Sequence, residues 1–460
     1  MSDITIAPRI AGAGRIRCWV AATHQKSQPA ISWTIDQEPA KPHVIKPMQS
    51  TYPPDPTGCF TGIFEFVGLD DGRVYSVSAT LAKGDTAALR TVSGVKHVMN
   101  DRFNILLLSC YDYQTDVARN LDTKVSQLPG VNKPNLTLLL GDQVYLDVPV
   151  RFAFLDDESW LAKEFERQYM NNFGDSSTYG KALRLAPSLS IPDDHEYWNN
   201  YPHAQVHIHN TYSAASRARW TRAAELMYQA FQSSSEEDFR DPVFMDIDPF
   251  TFACINTRST RLERNIMDRR QWEMLMDWTE RAIANPYRMA VIATGQSLMR
   301  RKANVVNAQI RDSELPNYSD FWIFQKMLEK FEEAGRKFLL LTGDVHFGRI
   351  TTMRSRRTGV ICGAEIISSP VSLVQGVVPP KENQPIVPVE WWRAWPRHPE
   401  PSDCEGPLTR QFICDVDWRQ KGNHFAVVSL YPYRNQVDVI YQPLHHDEVH
   451  NKMIKRTLFY

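Results

Sequence analysis

Two hydrophobic rhythms divide the chain. Up to about residue 98, apolar positions come in short bursts: 16–21 (IRCWVA), 31–35 (ISWTI), 62–67 (GIFEFV) and 74–79 (VYSVSA). These runs are rich in β-branched and aromatic residues, and turn-formers such as PPDPTG and DDGR separate them. Short strands punctuated by Pro, Gly and Asp predict an all-β, sandwich-like module over residues 1–98. It carries no cluster of reactive side chains, so its expected role is packing or docking.

From Asp101 the rhythm changes. Continuous apolar runs, the pattern of strands buried on both faces, now end abruptly in polar residues. NILLL (104–108) runs into SCYD, NLTLLL (135–140) into GDQVY, and 183–191 into PDDHE. Residues 250–255 run into NTRSTR, RMAVIAT (288–294) into GQ, and KFLLL (337–341) into TGDVH. Amphipathic helices are predicted between some of these runs, at 213–231, 268–283 and 321–335. Strands alternating with helices imply an α/β sheet flanked by helices, which binds ligands beyond the carboxyl ends of its strands. The polar clusters fall at those ends repeatedly, and this coincidence points to an enzyme. The segment 371–410 is rich in Pro and Trp and reads as a long ordered loop or lid, while 424–431 and 436–441 read as two closing strands.

The 460 residues exceed one ordinary core, so a second domain (99–460) is expected. A net charge of −1 provides no global attraction to nucleic acid or an anionic membrane. Seven scattered cysteines without a CxxC pair argue against a zinc knuckle or disulfide scaffold. The start MSDITIAPRI lacks the marks of a secretion signal, and no apolar run is long enough to span a bilayer. A cytoplasmic location is expected, or a periplasmic or secreted one if a leader has been removed.

Three strand-end clusters carry chemistry. In GDQVY, Gly141 permits a sharp turn and Asp142 presents a carboxylate, with Tyr145 within reach of the same pocket. Alone, such an Asp is as readily a helix cap. In PDDHEYWNN, three carboxylates and an imidazole are followed by Asn199 and Asn200; burying them requires a cation or a hydrogen-bond network. In TGDVH, Asp344 and His346 stand at i and i+2, on one face of an extended segment. Three such clusters together favour a metal site.

SCYD, GDQVY, DDHE with NN, GQ and GDVH, in this order, resemble the alkaline phosphatase D (PhoD-like) family of calcineurin-like metallophosphoesterases. NTRSTR, Gln271-Trp272 and Glu365 in AEIISSP are further echoes, and the resemblance spans residues 100 to 370. It implies a calcineurin-like α/β core of mixed sheets flanked by helices, with an N-terminal sandwich of the immunoglobulin or fibronectin III kind. Carried over by position, Cys110, Asp142, Tyr145 and His346 look like ligands of one metal. Asp142 would bridge to a second site completed by Asp194, Asp344 and Asn200, with His195 as general acid or transition-state binder. The resemblance implies ferric iron and calcium, other divalent cations remaining open. A thiolate with a phenolate suits iron, and an all-oxygen set suits calcium.

One departure stands out: the family's Asp-Thr-Arg is here Asn256-Thr257-Arg258. Arg258 or Arg261 is a candidate holder of a phosphate, a structural ion pair being an equal alternative for either. GNHF at 422–425 mimics a superfamily motif but follows the last metal cluster, and is expected to be a decoy. The expected reaction is hydrolysis of a small or polymeric phosphate ester by a metal-activated hydroxide, diesters favoured by the resemblance, with oligomeric state unread. Two alternatives are a scaffold protein on the same fold and an iron-dependent oxidoreductase. The second is disfavoured because carboxylates outnumber histidines.

Overall fold

The computed structural model describes residues 3–116, 120–147, 154–174, 179–205, 208–234, 237–262, 264–299, 315–372, 408, 411–420, 422–434, 436–444 and 453–459. The sequence-predicted lid therefore lies largely outside the described residues. No helix among them is long and apolar enough to cross a membrane.

Two large sheets form the centre. The first runs edge to edge through Ile454–Phe459, Gln436–Pro443, His424–Leu430, Phe103–Leu108, Leu136–Leu140, Ser188–Ile191, Ile4–Arg9, Ile16–Ala22, Phe60–Phe66 and His43–Ser50. The second runs through Val243–Ile247, Phe250–Ile255, Met289–Thr294, Phe338–Thr342, Ile361–Ile367, Gly348–Ser355 and Phe412–Gln420. The central strands of each are parallel, so their carboxyl ends lie together.

Alternation along the apolar strands builds four layers. Ile105, Leu107, Leu138 and Leu140 of the first sheet pack on Phe252, Val291, Leu339 and Leu341 of the second. Their sequence neighbours Leu106, Leu108 and Leu139 point the other way, onto helices Glu158–Tyr169 and Ala214–Phe231. Ile255, Ile292 and Leu340 likewise meet helices Arg269–Ala284 and Trp322–Glu333. Each fully buried Leu or Ile contributes about 1.5–3 kcal/mol, so strands with both faces covered anchor whatever stands at their ends.

The N-terminal strands make a two-layer sandwich. One layer is Glu38–Ala40, Ile31–Ile35, Val74–Leu81 and Thr86–Val92. The other is the far edge of the first large sheet: Trp33, Val77 and Leu81 pack on Ile6, Val20 and Phe64. Ile4–Arg9 is the hinge element, antiparallel to Ile16–Ala22 and joined in parallel to Ser188–Ile191 at Arg9. The N-terminal strands thus share a sheet with the core.

Some boundaries differ from the sequence expectation. The run 183–191 becomes a strand only over Ser188–Ile191, because Leu183 still donates to the Tyr179 carbonyl and Pro187 interrupts the backbone donors. The closing pair is extended by Ile454–Phe459, a polar strand that the apolar pattern did not mark.

Candidate metal centre

The polar tips meet. Three groups of potential ligand atoms, each within 4.8 Å of one another, are Cys110–Asp142–His346, Asp142–Asp194–His195 and Asp142–Asp193–Asp194–Asp344. Asp142 belongs to all three. Its Oδ2 lies 3.3 Å from Cys110 Sγ and accepts from Tyr145 OH at 3.2 Å. Six of the seven residues that the resemblance implies as ligands therefore fall in one cluster. The seventh, Asn200, joins through its backbone N–H, which donates to Asp194 Oδ2 at 2.5 Å.

The backbone at these positions is strained. Among the described residues, eight non-glycine residues have positive φ, and five of them are Cys110, Asp142, Asn200, Asp344 and His346. Left-handed backbone costs a β-carbon-bearing residue about 1–2 kcal/mol, so the packed strands below must hold it in place. Two glycines allow the tips to converge. A β-carbon on Gly141 (φ 85°) would lie 2.4 Å from Asp193 Cβ, and one on Gly343 would lie 2.4 Å from Ser109 Oγ.

Support around the cluster is dense. Cys110 N–H donates to Gly141 O and Tyr111 N–H to Asp142 O, joining the first two loops. Ser369 Oγ lies 3.1 Å from Cys110 Sγ and accepts from His346 N–H. Asp344 accepts from Gln296 Nε2 at 3.2 Å, and Gln296 accepts in turn from Arg261. The Glu365–Arg349 pair, wholly buried at 2.6 Å, holds the loop bearing Gln296: Glu365 accepts from Ser297 Oγ and Leu298 N–H.

Glu196 is the most connected support. Its two oxygens accept from the backbone N–H groups of Asp142, Gln143 and Asp193 and from Gln232 Nε2, between 2.6 and 3.0 Å. It thereby pins the loops bearing Asp142 and Asp193 to each other. Glu196→Gln keeps the volume but removes one acceptor oxygen. Each buried donor left unsatisfied costs about 1–3 kcal/mol, so urea unfolding should show a loss of about 2–4 kcal/mol. A change below 0.5 kcal/mol would remove Glu196 from this role.

His195 stands beside the cluster, its ring centroid 4.3 Å from that of Tyr145. Its Nδ1 is 2.9 Å from Asp147 Oδ1, whose other oxygen accepts from Asn199 N–H. Burial alone would lower the imidazole's pKa, but Asp147, Asp194 and Asp142 outweigh it and hold it well above its usual value.

The neighbouring acids are raised as well. Burial, then Asp194, Asp193 and Glu196, push Asp142 well above the carboxylate range despite the opposing pull of His195. Burial, then Asp142 and Asp344, push the Cys110 thiol up. Such clustering of acids is tolerated where a cation restores the balance.

With this geometry in view, known proteins supply a comparison. No family model matches the chain, and no curated protein does. Among solved structures, PhoD superposes with a TM-score of 0.69 at 11% identity, over 98% of this chain and 88% of that one. The fold is that of the metallophosphoesterases. Purple acid phosphatase PPD1 from yellow lupin (Lupinus luteus) seeds follows at a TM-score of 0.60 and 10% identity, over 100% of this chain and 74% of its own. At such identities the likeness fixes the metallophosphoesterase fold, and the chemistry has to come from the residues themselves.

Those residues resolve the open alternatives. Arg258, read as a phosphate holder or an ion-pair partner, is the latter. Its wholly buried guanidinium pairs with Asp193, lies 3.7 Å from Asp194 and donates to Tyr201 O, so it cannot face a substrate. Arg261 is also buried and donates to Thr257 O and Gln296. Asn256 explains its own departure from the family's Asp. Its Oδ1 accepts from Arg258 and Ser259 N–H, while its amide donates to Phe239 O, which a carboxylate could not do. His424 of the decoy motif packs against Tyr441 and belongs to none of the three ligand groups.

Sequence reasoning missed Asp147 and the supporting role of Glu196. Asp147 had a faint signal, a second acid five residues after Asp142; the reach of Glu196 across to another loop had none.

Proposed function

We propose that the chain is a metal-dependent phosphoesterase acting on small or polymeric phosphate esters, with diesters preferred. The observation that carries this reading is the position of Asp142 at the intersection of three ligand groups, flanked by an oriented imidazole. The donor chemistry fits cations. Asn200 Oδ1 is a buried oxygen that accepts no hydrogen bond among the described residues, which is costly in protein alone; Asp194 Oδ1 also accepts none, with the Arg258 guanidinium 3.7 Å away. Cys110, Tyr145, His346 and Asp142 offer the sulfur, phenolate and imidazole that suit ferric iron. Asp142, Asp194, Asp344 and Asn200 offer only oxygen, which suits calcium.

When bound, such cations draw in phosphate oxygens and lower the pKa of water enough to supply hydroxide near neutrality. The protein's own contribution is positioning and proton transfer. Asp147 holds His195 at Nδ1, which leaves Nε2 as the atom that carries a proton to the departing oxygen. The low exposure of Asp142, Asp194 and His195 excludes bulk water and strengthens each electrostatic contact. No covalent nucleophile is required, and Cys110, its Sγ 3.3 Å from Asp142 Oδ2, is read as a ligand and not an attacking group.

The test is metal analysis of the purified protein with paired hydrolysis of bis-p-nitrophenyl phosphate and p-nitrophenyl phosphate. Hydrolysis should stop on chelation and return with added cation, the diester being the better substrate. Cation-loaded protein inactive on both esters would overturn the reading. Asp147→Asn should lower kcat roughly 10- to 100-fold, as loss of an orienting partner does, with metal content unchanged. Unchanged turnover would dissociate Asp147 from His195.

A further inference from the structure

The last turn of helix Ala214–Phe231 leaves backbone carbonyls without helical donors, the usual state of a helix end. Side chains from the N-terminal strands supply these donors one after another. Lys46 Nζ donates to Gln229 O at 3.0 Å, Trp19 Nε1 to Ala230 O at 2.7 Å and Arg9 Nη2 to Phe231 O at 2.6 Å. Arg17 Nη1 donates to Ser234 O at 2.7 Å, just past the helix. Three of the four donors are cations at the negative end of a helix dipole, an arrangement favourable in charge as well as in hydrogen bonding.

Arg9 is buried between the rings of Trp19 and Phe173, with centroids 5.3 and 5.9 Å away. It also donates to Ser188 Oγ, at the foot of the strand leading to Asp193. Burial lowers its pKa to about 10, which leaves it charged at neutral pH.

The residue that follows the clamped helix is Gln232, and its amide donates to Glu196 Oε1 at 3.0 Å. Glu196 in turn receives the Asp142, Gln143 and Asp193 backbone N–H groups. A path of hydrogen bonds, joined through the backbone between Phe231 and Gln232, thus runs from the N-terminal strands to the loops bearing Asp142 and Asp193.

We propose that the N-terminal strands are a positioning clamp for the metal centre. Arg9, Trp19, Arg17 and Lys46 act as positioning residues through Gln232 and Glu196. The effect on catalysis rests on the phosphoesterase reading; the mechanical coupling does not. Side chains one to four strands away from Ser188–Ile191 would then set how rigidly Asp142 and Asp193 are held.

The test uses full-length Trp19→Phe, which loses the indole donor, and Lys46→Met, which changes a partly exposed side chain and leaves the core intact. Amide hydrogen exchange is followed over 139–147 and 192–200, with strand Phe250–Ile255 as internal control, alongside kcat and KM on the diester. The clamp predicts exchange of the Asp142, Gln143 and Asp193 amides faster by on the order of fivefold, with the control strand unchanged. It also predicts a lower kcat at constant KM, and Arg9→Lys, which retains one donor, should lie between wild type and Trp19→Phe. Faster exchange confined to residues 229–234, with both loops as protected as in wild type, overturns the clamp. If the wild-type protein hydrolyses no ester while the loop amides still respond, the clamp stands and the phosphoesterase reading falls.

Discussion

Asp142→Asn is expected to remove bound metal and activity together, by on the order of 1,000-fold in kcat, or about 4 kcal/mol of transition-state stabilisation. Asparagine is the informative replacement. It tolerates the left-handed backbone at φ 58° and keeps the volume, so the fold is preserved while the carboxylate charge is lost. Asp142 is wholly buried and faces Asp193, Asp194 and Glu196, a concentration of negative charge that a bound cation would offset beyond what His195 and Arg258 supply. Removing one of these charges relieves repulsion in the metal-free protein. The thermal midpoint of the chelated variant should therefore equal or exceed that of chelated wild type, as calorimetry would register. A structural carboxylate would behave in the opposite way, with stability falling. Wild-type metal content in the variant, by elemental analysis, would remove Asp142 from the centre of the site.

His195→Ala separates chemistry from binding. The expected result is a protein with wild-type metal content and a kcat lower by about 100-fold or more, the usual contribution of a positioned general acid. The loss should be smaller for a substrate whose leaving group is a good one, because p-nitrophenolate needs little protonation, and larger for an alkyl ester. Stopped-time assays on the two ester types check this. Equal losses on both would assign His195 to binding a non-bridging oxygen instead, and full activity would exclude it from the mechanism.

The pattern of the chain made the strand ends legible for a simple reason. NILLL, NLTLLL and KFLLL are apolar after their first residue, broken only by Thr137, so each must be covered on both faces, and the polar residues that end each run mark where the sheet meets solvent or a ligand. Three of the four described helices of twelve residues or more were legible too, with Ser213 and Asp268 as N-caps accepting from Ser216 and Gln271 N–H, whereas Glu158–Tyr169 was not marked. Less legible were Gly348–Ser355, polar in composition yet almost wholly buried, and Phe412–Gln420, in which Asp and Arg alternate with partly buried residues. The arginines show the limit at the site. NTRSTR offered two guanidinium groups next to a strand end, yet both turn inward to carboxylates and carbonyls. No local property of the sequence distinguishes an Arg that meets a phosphate from one that braces a loop.

The sequence by itself determined which strands are buried and which side chains stand at their tips, because hydrophobic periodicity and turn residues act over a few positions. Only the tertiary structure decided what those tips do to one another. The convergence of Cys110, Asp142, Asp194, Asp344 and His346, the anchoring of His195 by Asp147, and the grip of Arg9 and Trp19 on a distant helix end all join residues remote in sequence. Distances across loops follow from how sheets stack and where glycines let backbones touch, and those are properties of the packed whole.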